Sequence, residues 1–310
     1  MRIVFMGTPG FAVPCLKEML VQGYDVAAAV TQPDRAKGRG KKLALSPVKV
    51  LAEESGIPVY QPEKIKTEEF TGVLRDLEPD VIIVVAFGQI LSREILSIPP
   101  LGCINVHASL LPKYRGAAPI NWCIINGEKT TGVTTIYMDE GLDTGDIIIR
   151  KEIAIGENET AGELHDRMSE LGASALSDTL KLLMEGKAGR FPQNDSEASY
   201  APIMNKALGR INWAKSAEEI RNLIRGTYPW PGAFSSYNGK IFKIFKSTTL
   251  KDEVWNEDHG LIRRVERDGI VVGCGTGSLR IEELQFENEK RMSAEAYLRG
   301  HSIEENVKLE

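Results

Sequence analysis

Short apolar runs alternate with amphipathic stretches through the first half of the chain, the pattern of a mostly parallel sheet covered by helices. Ile3 to Met6, Val26 to Val30, Val81 to Ala86, Cys103 to His107, Gly132 to Met138 and Ile147 to Ile155 read as strands. Between them, Ala12 to Gln22, Pro47 to Glu54, Glu68 to Leu77, Ile120 to Asn126 and Ala161 to Glu185 read as helices. In the last of these Leu164, Met168, Leu171, Ala175, Leu176, Leu180 and Leu183 recur at helical spacing, an apolar stripe suited to lie across a sheet. The expected fold class of residues 1–189 is therefore α/β, a Rossmann-like, mostly parallel sheet with flanking helices.

Periodicity stops after Gly186, and residues 190–206 are rich in turn formers, which predicts a linker. A helix follows from Ala217 to Gly226, then the rigid aromatic turn Tyr228-Pro229-Trp230-Pro231-Gly232. Five short β-rich runs come next: Ala233 to Tyr237, Lys240 to Ser247, Gly260 to Glu266, Gly269 to Gly273 and Ser278 to Gln285. They predict a small barrel over residues 207–310.

A chain of 310 residues suits two domains, and 42% hydrophobic with 26% charged residues supplies an ordinary buried core. The first apolar run is four residues long and closes on Gly7, too short for a signal peptide or a membrane span, so a cytoplasmic protein without membrane attachment is expected. Cys15, Cys103, Cys123 and Cys274 stand far apart with no CxxC pair, so neither a metal site nor a disulfide framework is expected; all four read as small buried residues.

The net charge of −5 conceals a pattern. Lys206, Arg210, Lys215, Arg221, Arg225, Lys240, Lys243, Lys246 and Lys251 face only Glu218 and Glu219 within residues 206–251, a local balance of +7. A second basic cluster, Arg35, Lys37, Arg39, Lys41 and Lys42, follows Asp34 and is interrupted by two glycines. It is too polar for a strand and too long for a minimal turn; a solvated loop and a polyanion contact are the two readings.

Residues 102–119 carry the chemistry. On a strand from Cys103 to His107, Asn105 and His107 share a face, where an amide can stabilise an oxyanion and an imidazole can move a proton. Asp143 follows in Met-Asp-Glu-Gly-Leu-Asp-Thr-Gly-Asp, a glycine-interrupted acidic turn able to supply a carboxylate that orients the imidazole. Gly7-Thr8-Pro9-Gly10 joins a strand to a helix, but Pro9 removes an amide donor that a pyrophosphate would use, so a tight turn explains it better than a dinucleotide site. His165, His259 and His301 lack comparable company.

Asn105, His107 and Asp143, the run Ser109-Leu110-Leu111-Pro112-Lys113-Tyr114-Arg115-Gly116 and the opening Phe5-Met6-Gly7-Thr8-Pro9-Gly10-Phe11-Ala12 together resemble the methionyl-tRNA formyltransferases. Asn-x-His-x-Ser-Leu-Leu-Pro with a later Asp is shared by the folate-dependent formyltransferases and the formyltetrahydrofolate hydrolases. The resemblance thus implies 10-formyltetrahydrofolate as donor, no metal, and Asn105, His107 and Asp143 as the catalytic set. It also implies a folate pocket built from Ser109, Leu110, Leu111, Pro112, Phe87, Gln89, Ile90, Leu91, Asp139 and Leu142, although core packing is an equally good account of Leu110 and Leu111. A cis peptide before Pro112 would shape this loop.

The same resemblance makes the barrel OB-like and the acceptor a methionyl initiator tRNA, held by Arg35, Lys37, Arg39, Lys41 and Lys42 on an inserted loop and by Lys206 and Arg210 at the start of the second domain. A monomer is expected. A sugar-nucleotide amine formyltransferase using the same donor is the alternative, and the basic loop discriminates against it. The barrel disfavours a glycinamide ribonucleotide formyltransferase, and a hydrolase would carry an amino-terminal regulatory domain.

Overall fold

A computed structural model describes residues 1–37, 42–250 and 259–310 and divides them into two compact units. The first comprises residues 1–119, 130–154 and 165–201. Its main sheet consists of β1 (Arg2–Gly7), β2 (Asp25–Val30), β3 (Val59–Tyr60), β4 (Val81–Val85), β5 (Cys103–His107), β6 (Thr130–Tyr137) and β7 (Ile147–Ala154). They lie in the order β7-β6-β5-β4-β1-β2-β3, parallel from β3 to β5, with β6 and β7 antiparallel. Buried on both faces, β1 and β4 must be continuously apolar, and Ile3, Phe5, Ile82 and Ile83 are fully enclosed.

The helices that cover the sheet begin where the sequence supplies caps. Ser46 accepts from the Lys49 amide at the start of α1 (Pro47–Glu54), and Thr67 accepts from the Phe70 amide at the start of α2 (Glu68–Asp76). The sheet reverses its order between β1 and β4, where open α/β sheets bind ligands at the carboxyl ends of their strands. Thr8 ties these ends together: its hydroxyl donates to the Phe87 carbonyl (3.1 Å) and accepts from the Gln32 amide (3.1 Å). A Cβ on Gly7 would stand 2.8 Å from that of Ala12 and 3.0 Å from the Val85 carbonyl, so close packing of the strand-to-helix turn accounts for that glycine.

One expectation is corrected here. The basic cluster is not excluded from strand structure, because Arg35–Lys37 and Lys42–Ala44 pair as an antiparallel ladder. The ladder is made by backbone hydrogen bonds, which polar side chains do not prevent. Its base is fixed by Asp34, whose carboxylate accepts from Lys49 (2.6 Å) and Gln61 (2.9 Å); the Lys49 hydrogen bond, with that of Gln61, holds Asp34 below the usual carboxylate range.

Within the stretch 190–206, backbone pairings run as far as Ala201. Phe191 exchanges backbone hydrogen bonds with Ile147, and Tyr200–Ala201 pairs in parallel with Arg115–Gly116. A Cβ on Gly116, at φ 116°, would lie 2.8 Å from the Ala201 carbonyl. Close approach of two chain segments, invisible as periodicity, therefore decides the structure of this stretch.

The second unit comprises residues 120–129, 155–164 and 202–310. Its antiparallel sheet contains β8 (Ala233–Tyr237), β9 (Lys240–Leu250), β10 (Ile262–Glu266), β11 (Gly269–Gly273) and β12 (Ser278–Phe286), in the order β8-β9-β12-β11-β10. The chain end bonds to both outer strands: Ser236 exchanges backbone hydrogen bonds with Glu310, while Ile262 donates to the Val307 carbonyl and accepts from the Asn306 amide. Phe242, Ile244, Ile281, Leu284 and Phe286 fill the core with Ile220 and Ile224 from the helix Ala217–Gly226. That helix opens on a capping box in which Ser216 and Glu219 satisfy each other's amides.

All four cysteines are buried and free, and burial pushes the thiols of Cys15, Cys103 and Cys274 up to about 12. Among the described residues no helix is long and apolar enough to cross a membrane, and no cluster of His, Cys, Asp and Glu has the makings of a metal site.

Candidate active site

Asn105 and His107 occupy the end of β5, opposite Ile136 and Thr134 of β6. Their two-residue spacing puts both side chains on one face, and both meet the same atom. Asn105 Nδ2 donates to Asp143 Oδ1 at 3.3 Å, and His107 Nδ1 lies 3.5 Å from that oxygen. The other carboxylate oxygen accepts from the Gly116 amide at 2.9 Å. His107 and Asp143 side chains are 6% and 13% exposed, so the group is largely removed from water while remaining open on one side.

The second ring nitrogen of His107 has a different partner. Nε2 donates to the Tyr114 carbonyl at 2.9 Å. A carbonyl only accepts, so Nε2 carries the hydrogen and Nδ1 is the nitrogen left to accept a proton. From the sequence Asp143 is expected to orient the imidazole; in the structure the Tyr114 carbonyl also holds the ring. Tyr114 has φ 62°, a left-handed conformation held by its amide's hydrogen bond to Ser199 Oγ (2.9 Å) and by the Ser199 carbonyl, which accepts from the Arg115 amide (2.8 Å).

Asp143 is also left-handed, with φ 55°. Gln193 caps its turn: Nε2 donates to the carbonyls of Asp143 and Gly145, each at 2.8 Å, while Oε1 accepts two hydrogen bonds from Arg115. Neither Gln193 nor Ser199 carries a sequence signal, because both lie in the aperiodic stretch that reads as linker.

The sequence profile of the formyl transferase family matches residues 1–180, and that of the formyl transferase C-terminal domain matches residues 203–302. The methionyl-tRNA formyltransferase of Clostridioides difficile is 58% identical over 309 residues, covering 100% of both chains. The chain belongs to the methionyl-tRNA formyltransferase family. The Acetivibrio thermocellus methionyl-tRNA formyltransferase is 52% identical, over 100% of this chain and 99% of its own. Solved sugar N-formyltransferases share the fold at lower identity. One, a sugar 3N-formyl transferase crystallised with dTDP and 5-N-formyl-THF, has a TM-score of 0.69 and 22% identity, covering 94% of this chain and 99% of its own. The Helicobacter canadensis N-formyltransferase, in complex with folinic acid and dTDP-3-aminofucose, gives 0.68 and 23%, covering 94% and 100%.

Within this family member, the residues expected to line a folate pocket divide by exposure. Phe87 and Leu91 belong to the core beneath β4, and Leu111 packs with Ile136 and Ile147. Leu110 is half-buried with its Cδ2 beside Gly132, where a Cβ would lie 2.6 Å from it and within 2.1 Å of the Lys151 carbonyl. Ser109 is fully buried and donates to the Lys113 carbonyl (2.7 Å); the peptide between Leu111 and Pro112 is cis. Gln89 braces the neighbouring loop by accepting from the Ile65 amide and donating to the Pro62 carbonyl. Asp139 caps its own turn through the Gly141 amide and the Thr144 hydroxyl. Ile90 and Leu142 remain as exposed apolar side chains, and close to them in sequence Arg93 and Glu140 form an exposed ion pair (3.6 Å).

Of the basic residues, Arg35, Lys206 and Arg210 are exposed. Lys37 and Lys42 are on the paired strands, and Arg39 and Lys41, like Lys251, lie outside the described residues. Arg221 and Arg225 are buried. Arg221 donates to the Glu157 carbonyl and to Asn158, and Arg225 to Asn222 and to the carbonyls of Gly156 and Glu159. These two charges of the basic segment are internal fasteners and do not face a polyanion.

Proposed function

We propose that the protein transfers the formyl group of 10-formyltetrahydrofolate to the α-amino group of methionyl initiator tRNA by direct amine attack. The observation that carries this reading is the single carboxylate oxygen, Asp143 Oδ1, that joins the Asn105 amide to the His107 imidazole in a member of this family. In the reaction the amine nitrogen bonds to the formyl carbon and the carbonyl electrons move to oxygen. Asn105 uses one Nδ2 hydrogen on Asp143 and offers the other to that oxyanion. His107 Nδ1 accepts the proton that the attacking nitrogen must lose, and the ring, now protonated at both nitrogens, is stabilised by the Asp143 carboxylate. The proton passes to the folate nitrogen as its bond to the formyl carbon breaks. No acyl-enzyme forms, in keeping with a Ser109 hydroxyl that is buried and bonded within its own loop.

The donor sits at the strand ends, its aminobenzoyl group against Ile90 and Leu142, with Phe87, Gln89, Leu91, Asp139 and Ser109 to Pro112 shaping the pocket. Residues 1–189 form the catalytic domain, residues 190–206 connect it, and residues 207–310 form an OB-like barrel. The antiparallel order and a chain end bonded to both β8 and β10 support that closure. Lys206 and Arg210, together with Arg35, Lys37, Arg39, Lys41 and Lys42, hold the tRNA phosphates. The enzyme works as a cytoplasmic monomer. Incubation with labelled 10-formyltetrahydrofolate and, in turn, methionyl-tRNA, an amino-sugar nucleotide or water tests the assignment. Label appears in the tRNA; transfer to the sugar alone overturns the acceptor.

A further inference from the structure

We infer that Gln193 is a positioning residue for the formyl transfer, holding the Asp143 turn in its reactive geometry with a polarity set by Arg115. The inference rests on the assignment of Asp143 to the reaction. Gln193 touches no reacting group. Its two Nε2 hydrogens are divided between the carbonyls of Asp143 and Gly145, each at 2.8 Å, so one amide fixes both ends of a three-residue turn. That turn needs an external hold. Asp143 occupies left-handed backbone space at φ 55°, which a residue with a Cβ adopts at a cost. A Cβ on Gly145 would come within 1.7 Å of the Tyr137 carbonyl, so the far side of the turn is pressed against β6.

Arg115 decides which end of the Gln193 amide faces the turn. Its Nε and Nη2 donate to Gln193 Oε1 at 3.1 and 2.8 Å, and Nη2 also meets Asp195 Oδ1 at 2.8 Å. The Arg115 side chain is 3% exposed, so its donors have few alternatives. A reversed amide would set donors against the guanidinium and an oxygen against two carbonyl oxygens. Asp195, Arg115, Gln193 and the Asp143 backbone thus form one chain of hydrogen bonds, ending at the carboxylate that meets Asn105 and His107.

Gln193→Glu tests polarity at constant shape. The carboxylate keeps the packing and pairs more strongly with Arg115, but it presents acceptors to the Asp143 and Gly145 carbonyls. A merely structural side chain would tolerate the change. A positioning residue loses kcat on the order of ten-fold or more, because misplacement of a reacting group is felt in the transition state. KM for tRNA and for the folate donor should stay within about two-fold. Gln193→Met keeps the length, removes both hydrogen bonds and is read in the same way if the glutamate variant does not fold. In an Asp143→Asn background, Gln193→Met should have little further effect, since it acts through Asp143. Parental kcat in both Gln193 variants, with Asp143→Asn impaired, overturns the inference and leaves the active-site reading intact. Parental kcat in Asp143→Asn itself overturns the active-site reading.

Discussion

The ring of His107 is held by the Tyr114 carbonyl, which accepts from Nε2 at 2.9 Å. In the proposed mechanism this bond leaves Nδ1, the nitrogen beside Asp143, as the one that exchanges a proton. His107→Ala should therefore lower kcat strongly while KM for tRNA changes little. Asn105→Ala removes the proposed donor to the oxyanion and should lower kcat by roughly 10²- to 10³-fold, the usual effect of deleting one such donor. Steady-state kinetics with methionyl-tRNA decide both; near-normal turnover in the two variants would remove them from the mechanism.

Asp143→Asn preserves the shape of the side chain but replaces one acceptor oxygen with a donor. Gly116 N–H, Asn105 Nδ2 and the protonated ring all present hydrogens to that carboxylate, so the amide must oppose one of them. Activity should fall throughout the range from about pH 6 to about pH 9, where general acid–base groups are usually profiled. Wild-type rates across that range would reduce Asp143 to a turn residue.

The parts of this fold that could be read from the sequence are those with a period. Continuous apolar runs give β1 and β4 because a central parallel strand is enclosed on both faces, and the leucine stripe gives the helix Ala161–Met184. Two-residue pairings have no period: the Val59–Tyr60 strand and the pairing of Arg115–Gly116 with Tyr200–Ala201 are set by tertiary approach. The same limit applies in the candidate active site. Asn105 and His107 are legible through their spacing, and Asp143 through its glycine-rich turn. The Tyr114 carbonyl is a backbone atom with no residue signature, and Gln193 sits in aperiodic sequence. Charge counting fails for a different reason, since a buried Arg225 and an exposed Arg210 look alike until packing separates them.

That separation predicts opposite outcomes for two arginines. Arg225→Ala leaves Asn222 and the carbonyls of Gly156 and Glu159 without their donor, and a buried group stranded in this way typically costs about 1–3 kcal/mol. Thermal or urea unfolding should show the loss, and the salt dependence of tRNA binding should be unchanged. Arg210→Ala should leave the unfolding midpoint unaltered and flatten the salt slope. A reversal of these two phenotypes would contradict the assignment.

Glu219 makes stability depend on pH at the acid end. The Ser216 backbone amide, followed by the Lys215 ammonium and the Ser216 hydroxyl, holds its carboxyl down to about 2 from an ordinary 4.5. A lowered carboxyl contributes stability above its unfolded value, and that contribution disappears as pH falls from about 4.5 through about 2. The side chain is 53% exposed, so solvent screening keeps the contribution small. Glu219→Gln should therefore flatten this part of the stability curve while Ser216→Ala, which removes the cap itself, should cost about 1 kcal/mol at neutral pH. Urea titrations at several pH values check both; identical acid limbs in Glu219→Gln and the parent would rule out the linkage.

The basic segment 34–42 provides the test of the acceptor. Each Lys or Arg that neutralises a phosphate adds about 0.9 to the slope of log affinity against log salt on a double strand. Replacing Arg39, Lys41 and Lys42 together with alanine should raise KM for methionyl-tRNA and flatten its salt dependence by about one unit for each phosphate no longer neutralised. KM for 10-formyltetrahydrofolate should hardly change, because the proposed donor pocket is built from Ile90, Leu142 and the ends of β4 and β5. If the segment also steers the acceptor end toward Asn105, kcat falls as well, since orientation contributes only to reaction. Measuring both KM values over a series of salt concentrations distinguishes these cases. An unchanged tRNA KM with an unchanged slope would make the cluster an ordinary solvated loop and return the amino-sugar acceptor to contention.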